Sequence, residues 1–157
     1  MIKDSWSCPV REGCTDPLVL QTVVENTRAA GIEVVVSAGN SGSSCSTVDT
    51  PAAIYGASFS VGATDNSDNI AGFSSRGPVT IDGSDRLKPD ISAHGVGVRS
   101  GFPGTGEAAL SRTSMAGPHI AVPVARLLAA RPGIAHAPPP TRHPTARRAR
   151  SPPSVPP

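Results

Sequence analysis

The sequence predicts an α/β domain with a mainly parallel sheet, and three stretches carry that prediction. Residues 17–30 place Leu18, Leu20, Val23, Val24, Thr27 and Ala30 at close to the 3.6-residue spacing of an amphipathic helix. Residues 32–38 follow at once as a near-continuous β-branched run, the kind of strand a parallel sheet buries on both faces. Residues 2–6 read as extended. Strand, helix and strand joined by short connections make a βαβ unit, and ligand groups in such sheets gather at the carboxyl ends of the strands.

Taken in order, each element has local signals. Asp16 supplies an N-cap for the first helix, Pro17 its first helical position and Gly31 its stop. Ser37-Ala-Gly-Asn-Ser-Gly42 stands at the carboxyl end of the second strand. Residues 43–58 form a polar loop containing Pro51, and Phe59–Thr64 reads as a short buried strand. A turn over 65–69 precedes a further strand at 70–73, then a long surface excursion through residues 74–86, a length that is more often functional than idle. Residues 88–91 lead into an extended piece at 95–98, and a glycine-rich segment returns the chain through Ala108, Ala109 and Leu110. A helix over 113–130 follows, with Ile120, Val124, Leu127 and Leu128 available to face the sheet. Pro118 falls within about its first turn; Pro123 lies deeper, where the lost N–H and the clash with the preceding turn cost about 3 kcal/mol.

Composition bounds the rest. The 157 residues allow one domain with a core of Val, Ile, Leu and Ala, since aromatic content is only 3%. Residues 1–133 form that domain. Residues 134–157 carry Pro and Arg with no apolar periodicity and are expected to be a disordered tail. The net charge of +2 hides an asymmetry, because all 12 acidic residues lie at or before Glu107 and seven arginines follow it. No aromatic accompanies those arginines, so nucleic acid is not an expected partner. No apolar run approaches the roughly 20 residues of a membrane span, so no membrane partner is expected either, and the first residues lack the apolar centre of a secretory signal. Cys8 and Cys14 could close a small loop; with Cys45 they make an odd number, and no spacing fits zinc. No metal or other cofactor is expected.

The chemistry concentrates at Leu110-Ser-Arg-Thr-Ser-Met-Ala-Gly-Pro-His-Ile-Ala121. Ser114 sits among small residues at a helix start, where unsatisfied N–H groups point at any anion that forms. Ser111, Thr113 and Ser114 are equally N-cap candidates, which a helix start ordinarily favours. Acyl transfer by serine needs a nucleophile, a base and donors aimed at the oxyanion. Ser114 offers the first. Asn40, at the end of a buried strand between flanking glycines, offers an uncharged N–H₂ for the third.

The motifs around Asn40, Phe73-Ser-Ser-Arg-Gly-Pro78, Leu87-Lys-Pro-Asp-Ile91 and Thr113-Ser-Met-Ala-Gly-Pro-His119 resemble, in order and spacing, the second half of subtilisin-like (subtilase, S8) serine peptidase domains. The resemblance covers about residues 1–133. It implies a partial subtilisin-like fold of three αβα layers and hydrolysis of peptide or protein substrates through an acyl-enzyme. Residue by residue, it implies Ser114 as nucleophile, Asn40 and the Ser114 N–H as oxyanion donors, and Ser5, Trp6 and Ser7 as the segment that pairs with substrate backbone. Ser37, Ala38 and Gly39 would line the pocket for the residue before the cut, with Thr50-Pro51 beyond it. Location outside the cell is implied likewise, and calcium belongs to the full-length family domain without a readable site here.

The departures are as informative. The family's catalytic Asp and His motifs, which precede the segment matched here, do not occur in this sequence, and neither Asp4 nor Asp90 has the Asp-Ser/Thr-Gly context. His119 matches a structural histidine of the family, and His94 replaces a usual proline. Arg112 stands where glycine is usual, Ser7 replaces a glycine, and Val122 and Pro123 replace small helix residues. The expectation is therefore a C-terminal part of a secreted peptidase domain, inactive without its N-terminal half. The alternative is a non-catalytic peptide-binding module that keeps the groove; a nucleic-acid reading would rest on the arginine tail alone.

Overall fold

The computed structural model describes residues 1–104 and 106–133, so the expected disordered tail at 134–157 lies outside the described residues. Four parallel strands form the central sheet in sequential order: β1 (Ile2–Asp4), β2 (Val34–Ser37), β3 (Phe59–Thr64) and β4 (Ile91–His94). Lys3 pairs with Val35, Val36 with Ser60, and Gly62 with Ser92. Two helices, α1 (Gln21–Ala29) and α2 (Thr113–Ala130), flank it, and a separate antiparallel hairpin joins β5 (Val98–Phe102) to β6 (Gly106–Leu110).

The pleat of β2 explains the layering. Val34, Val36 and Ala38 pack in one core with Val24 of α1, Val48, Ile54 and Tyr55. Val35, between them in sequence, packs on the opposite face with Val61, Ala63, and Ala116 and Ala121 of α2. Successive side chains of a strand point to opposite faces, so a strand apolar at every position needs a cover on each side. The three αβα layers follow from that run.

Several local expectations are corrected. The first helix begins at Gln21, four residues late. Asp16 instead accepts from the Leu18 N–H at 2.8 Å, capping a turn, while the buried Tyr55 hydroxyl accepts from Leu20 N at 3.2 Å and donates to Pro17 O at 2.8 Å. A tyrosine from a distant loop thus anchors the turn that precedes the helix. Only Val24 of this helix is buried, and Val23 is 62% exposed. Residues 70–73 form no strand; Ile70 makes a single antiparallel bridge with Thr64. Of the extended piece expected at 95–98 only Val98 is in a strand, the first residue of β5; residues 95–97 connect β4 to β5, with Gly97 at φ 66°. β1 stops at Asp4, whose carboxylate accepts from Trp6 N at 3.3 Å, so residues 5–7 leave the sheet.

The α2 boundaries agree with expectation, but its packing stripe differs. Thr113, Ala116, Gly117 and Ala121 are buried, whereas Leu127 is 59% exposed. Small residues let the helix axis lie close to β1–β4, and a Cβ on Gly117 would stand 2.7 Å from Lys3 Cε. Pro123 is exposed, so the carbonyl it leaves unbonded faces water. Cys8 and Cys14 are joined by a disulfide, and Cys45 is free and exposed. Among the described residues no helix is long and apolar enough to cross a membrane.

Candidate active site

The carboxyl ends of β1 and β2 lie side by side, tied by the Ser37 hydroxyl, which donates to Asp4 O at 3.4 Å. Past β2 the chain stays anchored, since Ala38 N donates to Val61 O at 2.9 Å. Ala38 points its methyl into the core at 1% exposure, so only its backbone borders the site. Gly39 then takes φ +108°, and a Cβ there would meet Ser75 Oγ at 2.8 Å. Both facts require glycine. Ser75, fully buried, grips the turn by donating its N–H to Gly39 O at 3.1 Å and accepting from Ser41 N at 3.1 Å.

The turn aims Asn40 at the start of α2. Its Oδ1 accepts from Thr113 N at 2.9 Å and from Thr113 Oγ1 at 3.1 Å. A backbone N–H only donates, so the amide oxygen must face Thr113 and the N–H₂ must face the other way. Nothing among the described residues accepts from that N–H₂. The helix start repeats the pattern: Thr113 N is bonded to Asn40 and Met115 N to Arg112 O at 3.0 Å, but Ser114 N between them has no acceptor among the described residues. Two free donors therefore sit at either side of Thr113. None of the expected cap residues caps the helix; Arg112 occupies the N-cap position with no side-chain bond, and the Ser111 hydroxyl accepts from Gly97 N at 2.9 Å.

Ser114 is half-buried, and its hydroxyl has no hydrogen-bond partner among the described residues. Its carbonyl accepts from Lys3 Nζ at 3.1 Å. Burial pushes the Lys3 ammonium below its ordinary value, opposed by the neighbouring Asp4 charge. His119 is not hydrogen-bonded to Ser114: its Nδ1 bonds Met115 O at 3.0 Å, and its ring meets His94 edge-on at 6.3 Å. Asp90 is occupied in a buried network, accepting from Lys88 Nζ at 2.6 Å and from Ser60 Oγ at 2.9 Å. No Ser–His–Asp relay exists among the described residues.

Ser5, Trp6 and Ser7 follow β1 on the same end of the sheet, with Trp6 exposed. Beyond them lies a small cavity of about 130 Å³ between the Cys8–Cys14 loop, Pro17, Asp49, Pro51 and Ile81. Burial raises the Asp49 carboxyl above its ordinary value. Arg112 is exposed beside Ser114 with no carboxylate in ion-pair range among the described residues. No group of three or more His, Cys, Asp or Glu among the described residues is arranged to hold a metal ion. Sequence reasoning missed Lys3, Thr113 and Ser75, because each acts through a partner more than thirty positions away.

A parallel sheet lies between two helix layers, and an asparagine from the end of a strand holds the threonine that precedes a serine at a helix start, which agrees with the subtilase resemblance. Residues 3–149 match the subtilase family, and the chain belongs to it. Among particular relatives, subtilisin E of Bacillus subtilis (strain 168) is 39% identical over 122 residues, 76% of this chain and 29% of that protein. Subtilisin of Bacillus pumilus is 38% identical over 122 residues, 76% and 41% of the two chains, and alkaline elastase YaB of Bacillus sp. (strain YaB) is 41% identical over 102 residues, 65% and 24%. The chain thus spans less than half the length of these relatives. The structure of the prenylagaramide maturation protease PagA superposes with a TM-score of 0.61 at 24% identity over 76% of this chain and 40% of that one, a likeness of fold.

Proposed function

We propose that residues 1–133 carry the nucleophile side of a serine endopeptidase site that acts on peptide or protein substrates outside the cell. Ser114 is the nucleophile, and Asn40 Nδ2 with the Ser114 N–H are the donors for the tetrahedral oxyanion. Residues 5–7 and the backbone of 37–39 hold the substrate strand. The observation that carries this reading is the pair of bonds from Thr113 to Asn40 Oδ1, which leaves the amide N–H₂ as a free, fixed donor next to a serine at a helix start.

The same geometry supports a limit. The Ser114 hydroxyl has no base to take its proton among the described residues, and the family's Asp and His motifs do not occur in the sequence. Loss of triad members leaves only the residual catalysis of the oxyanion hole and binding, several orders of magnitude down. The chain alone is therefore inactive as a peptidase and needs an Asp/His pair from a complementing segment. No cofactor enters the chemistry of these residues.

A second reading, a peptide-binding module without chemistry, is favoured by the absent base and by Arg112 beside the nucleophile. Incubating the purified chain with a fluorogenic peptide and with a fluorophosphonate separates the readings. The expected result is no turnover and slow modification confined to Ser114. Rapid turnover abolished by Ser114→Ala would overturn the limit, and complete failure to modify Ser114 alongside measurable peptide binding would establish the second reading.

A further inference from the structure

We propose that Lys3 is a positioning residue for Ser114, taking the place of the helix hydrogen bond that Pro118 cannot make. In an α-helix the carbonyl of residue 114 is bonded by the N–H of residue 118. Here residue 118 is proline, which has no N–H, so the nucleophile's own peptide carbonyl loses its i+4 donor. Lys3 Nζ donates to that carbonyl at 3.1 Å from a strand 111 residues away in sequence.

The route of the side chain is specific. Its Cε passes where a Cβ of residue 117 would stand, 2.7 Å from the ideal position, so glycine at 117 is what lets the lysine cross the helix surface. Lys3, Gly117 and Pro118 form one set: the proline opens the carbonyl, the glycine opens the path, and the ammonium fills the gap. A charged donor makes a stronger bond than the amide it replaces, roughly twice a neutral one. Lys3 also belongs to β1, whose continuation at residues 5–7 is the proposed substrate segment. The contact therefore fixes the nucleophile's peptide relative to the strand on which substrate lies, a distance that must hold to within a fraction of an ångström for attack.

This inference rests on Ser114 being the nucleophile, and the experiment separates the two. The rate of Ser114 modification by a fluorophosphonate, read by mass spectrometry of the intact chain, is compared for the wild type, Lys3→Met, Lys3→Arg and Gly117→Ala, with thermal unfolding recorded for each. Lys3→Met keeps the apolar stem and removes the donor; it is expected to slow modification about tenfold, and Lys3→Arg to restore it to within about threefold. Gly117→Ala leaves Lys3 in the sequence but displaces it, and is expected to slow modification similarly while the fold persists; it serves if Lys3→Met does not fold. Equal rates for folded wild type, Lys3→Met and Gly117→Ala would overturn the proposal with the nucleophile reading intact. Failure of the wild type to react at Ser114 would overturn both. In a sample with Ser114 carbonyl-¹³C, a carbonyl shift that changes in Lys3→Met and returns in Lys3→Arg confirms the contact itself; no change denies it.

Discussion

At the scale of single residues, the site depends on which atom of a side chain faces which partner. Asn40 uses its oxygen to hold α2 and keeps its N–H₂ free, and the two tasks can be separated. Asn40→Asp keeps an acceptor for Thr113 and replaces the donor by a charge that repels an oxyanion. It is expected to fold with an unchanged melting temperature to within a few degrees, yet to lose about 10²- to 10³-fold in the rate of Ser114 modification. Asn40→Ala removes both, leaving the buried Thr113 N–H and hydroxyl short of an acceptor, and denaturant titration should find it about 1–3 kcal/mol less stable. The places of Asn40 at the end of a strand and of Ser114 at a helix start were legible in the sequence, and the family resemblance suggested the roles proposed for them. Thr113 was not legible, because a threonine beside a nucleophile looks like a spare hydroxyl until its bonds to residue 40 are known. Ala38 was legible by position only; its methyl belongs to the core, since the alternation that buries Val34 and Val36 buries it too.

At the scale of elements, α2 begins without a side-chain cap because Arg112 fills the N-cap position. Arg112→Ser supplies a hydroxyl for the first-turn N–H groups and removes bulk beside Ser114. Its unfolding midpoint should rise by the equivalent of about 0.5–1 kcal/mol. Lys3 gives the element a pH dependence of known sign. Its folded value lies below the ordinary 10.5 because of partial burial, so the unfolded chain holds the proton more tightly and the half-buried ammonium costs stability at neutral pH. That cost is relieved as pH rises from the lowered value toward 10.5. The stability difference between wild type and Lys3→Met, followed from neutral pH upward by denaturant titration, should move in favour of the wild type. The β-branched run of β2 was readable because burial on both faces selects such residues; the apolar run 113–130 was readable as a helix, but not its buried stripe, which is built from small residues. The start of α1 was not readable, because the Asp16 bond to Leu18 N closes only a turn, and the Leu20 N–H goes to the Tyr55 hydroxyl from 35 residues away. The β5–β6 hairpin was missed for want of alternation, with Gly101, Gly104 and Gly106 interrupting the pattern.

At the scale of the whole molecule, two cores on opposite faces of a four-stranded sheet hold the site at the strand ends. The α/β class was legible from the βαβ unit around one strand apolar on both faces, and the three layers were implied by the family resemblance. The links that lock the loops were not legible, since they join buried polar groups distant in sequence. Lys88 donates to Ser58 O at 2.8 Å and Asp90 Oδ2 at 2.6 Å, closing the loop before β4 onto β3. Replacing Asp90 by Ala takes a carboxylate from a buried ammonium and should cost about 3–5 kcal/mol, measured by thermal or urea unfolding. The bonds between Thr113 and Asn40 join the end of β2 to the first turn of α2 across 73 residues. Undocking α2 and dismantling the proposed oxyanion donor are consequently one opening equilibrium, so the exchange of the Thr113 amide with deuterium clocks how often this arrangement ceases to exist.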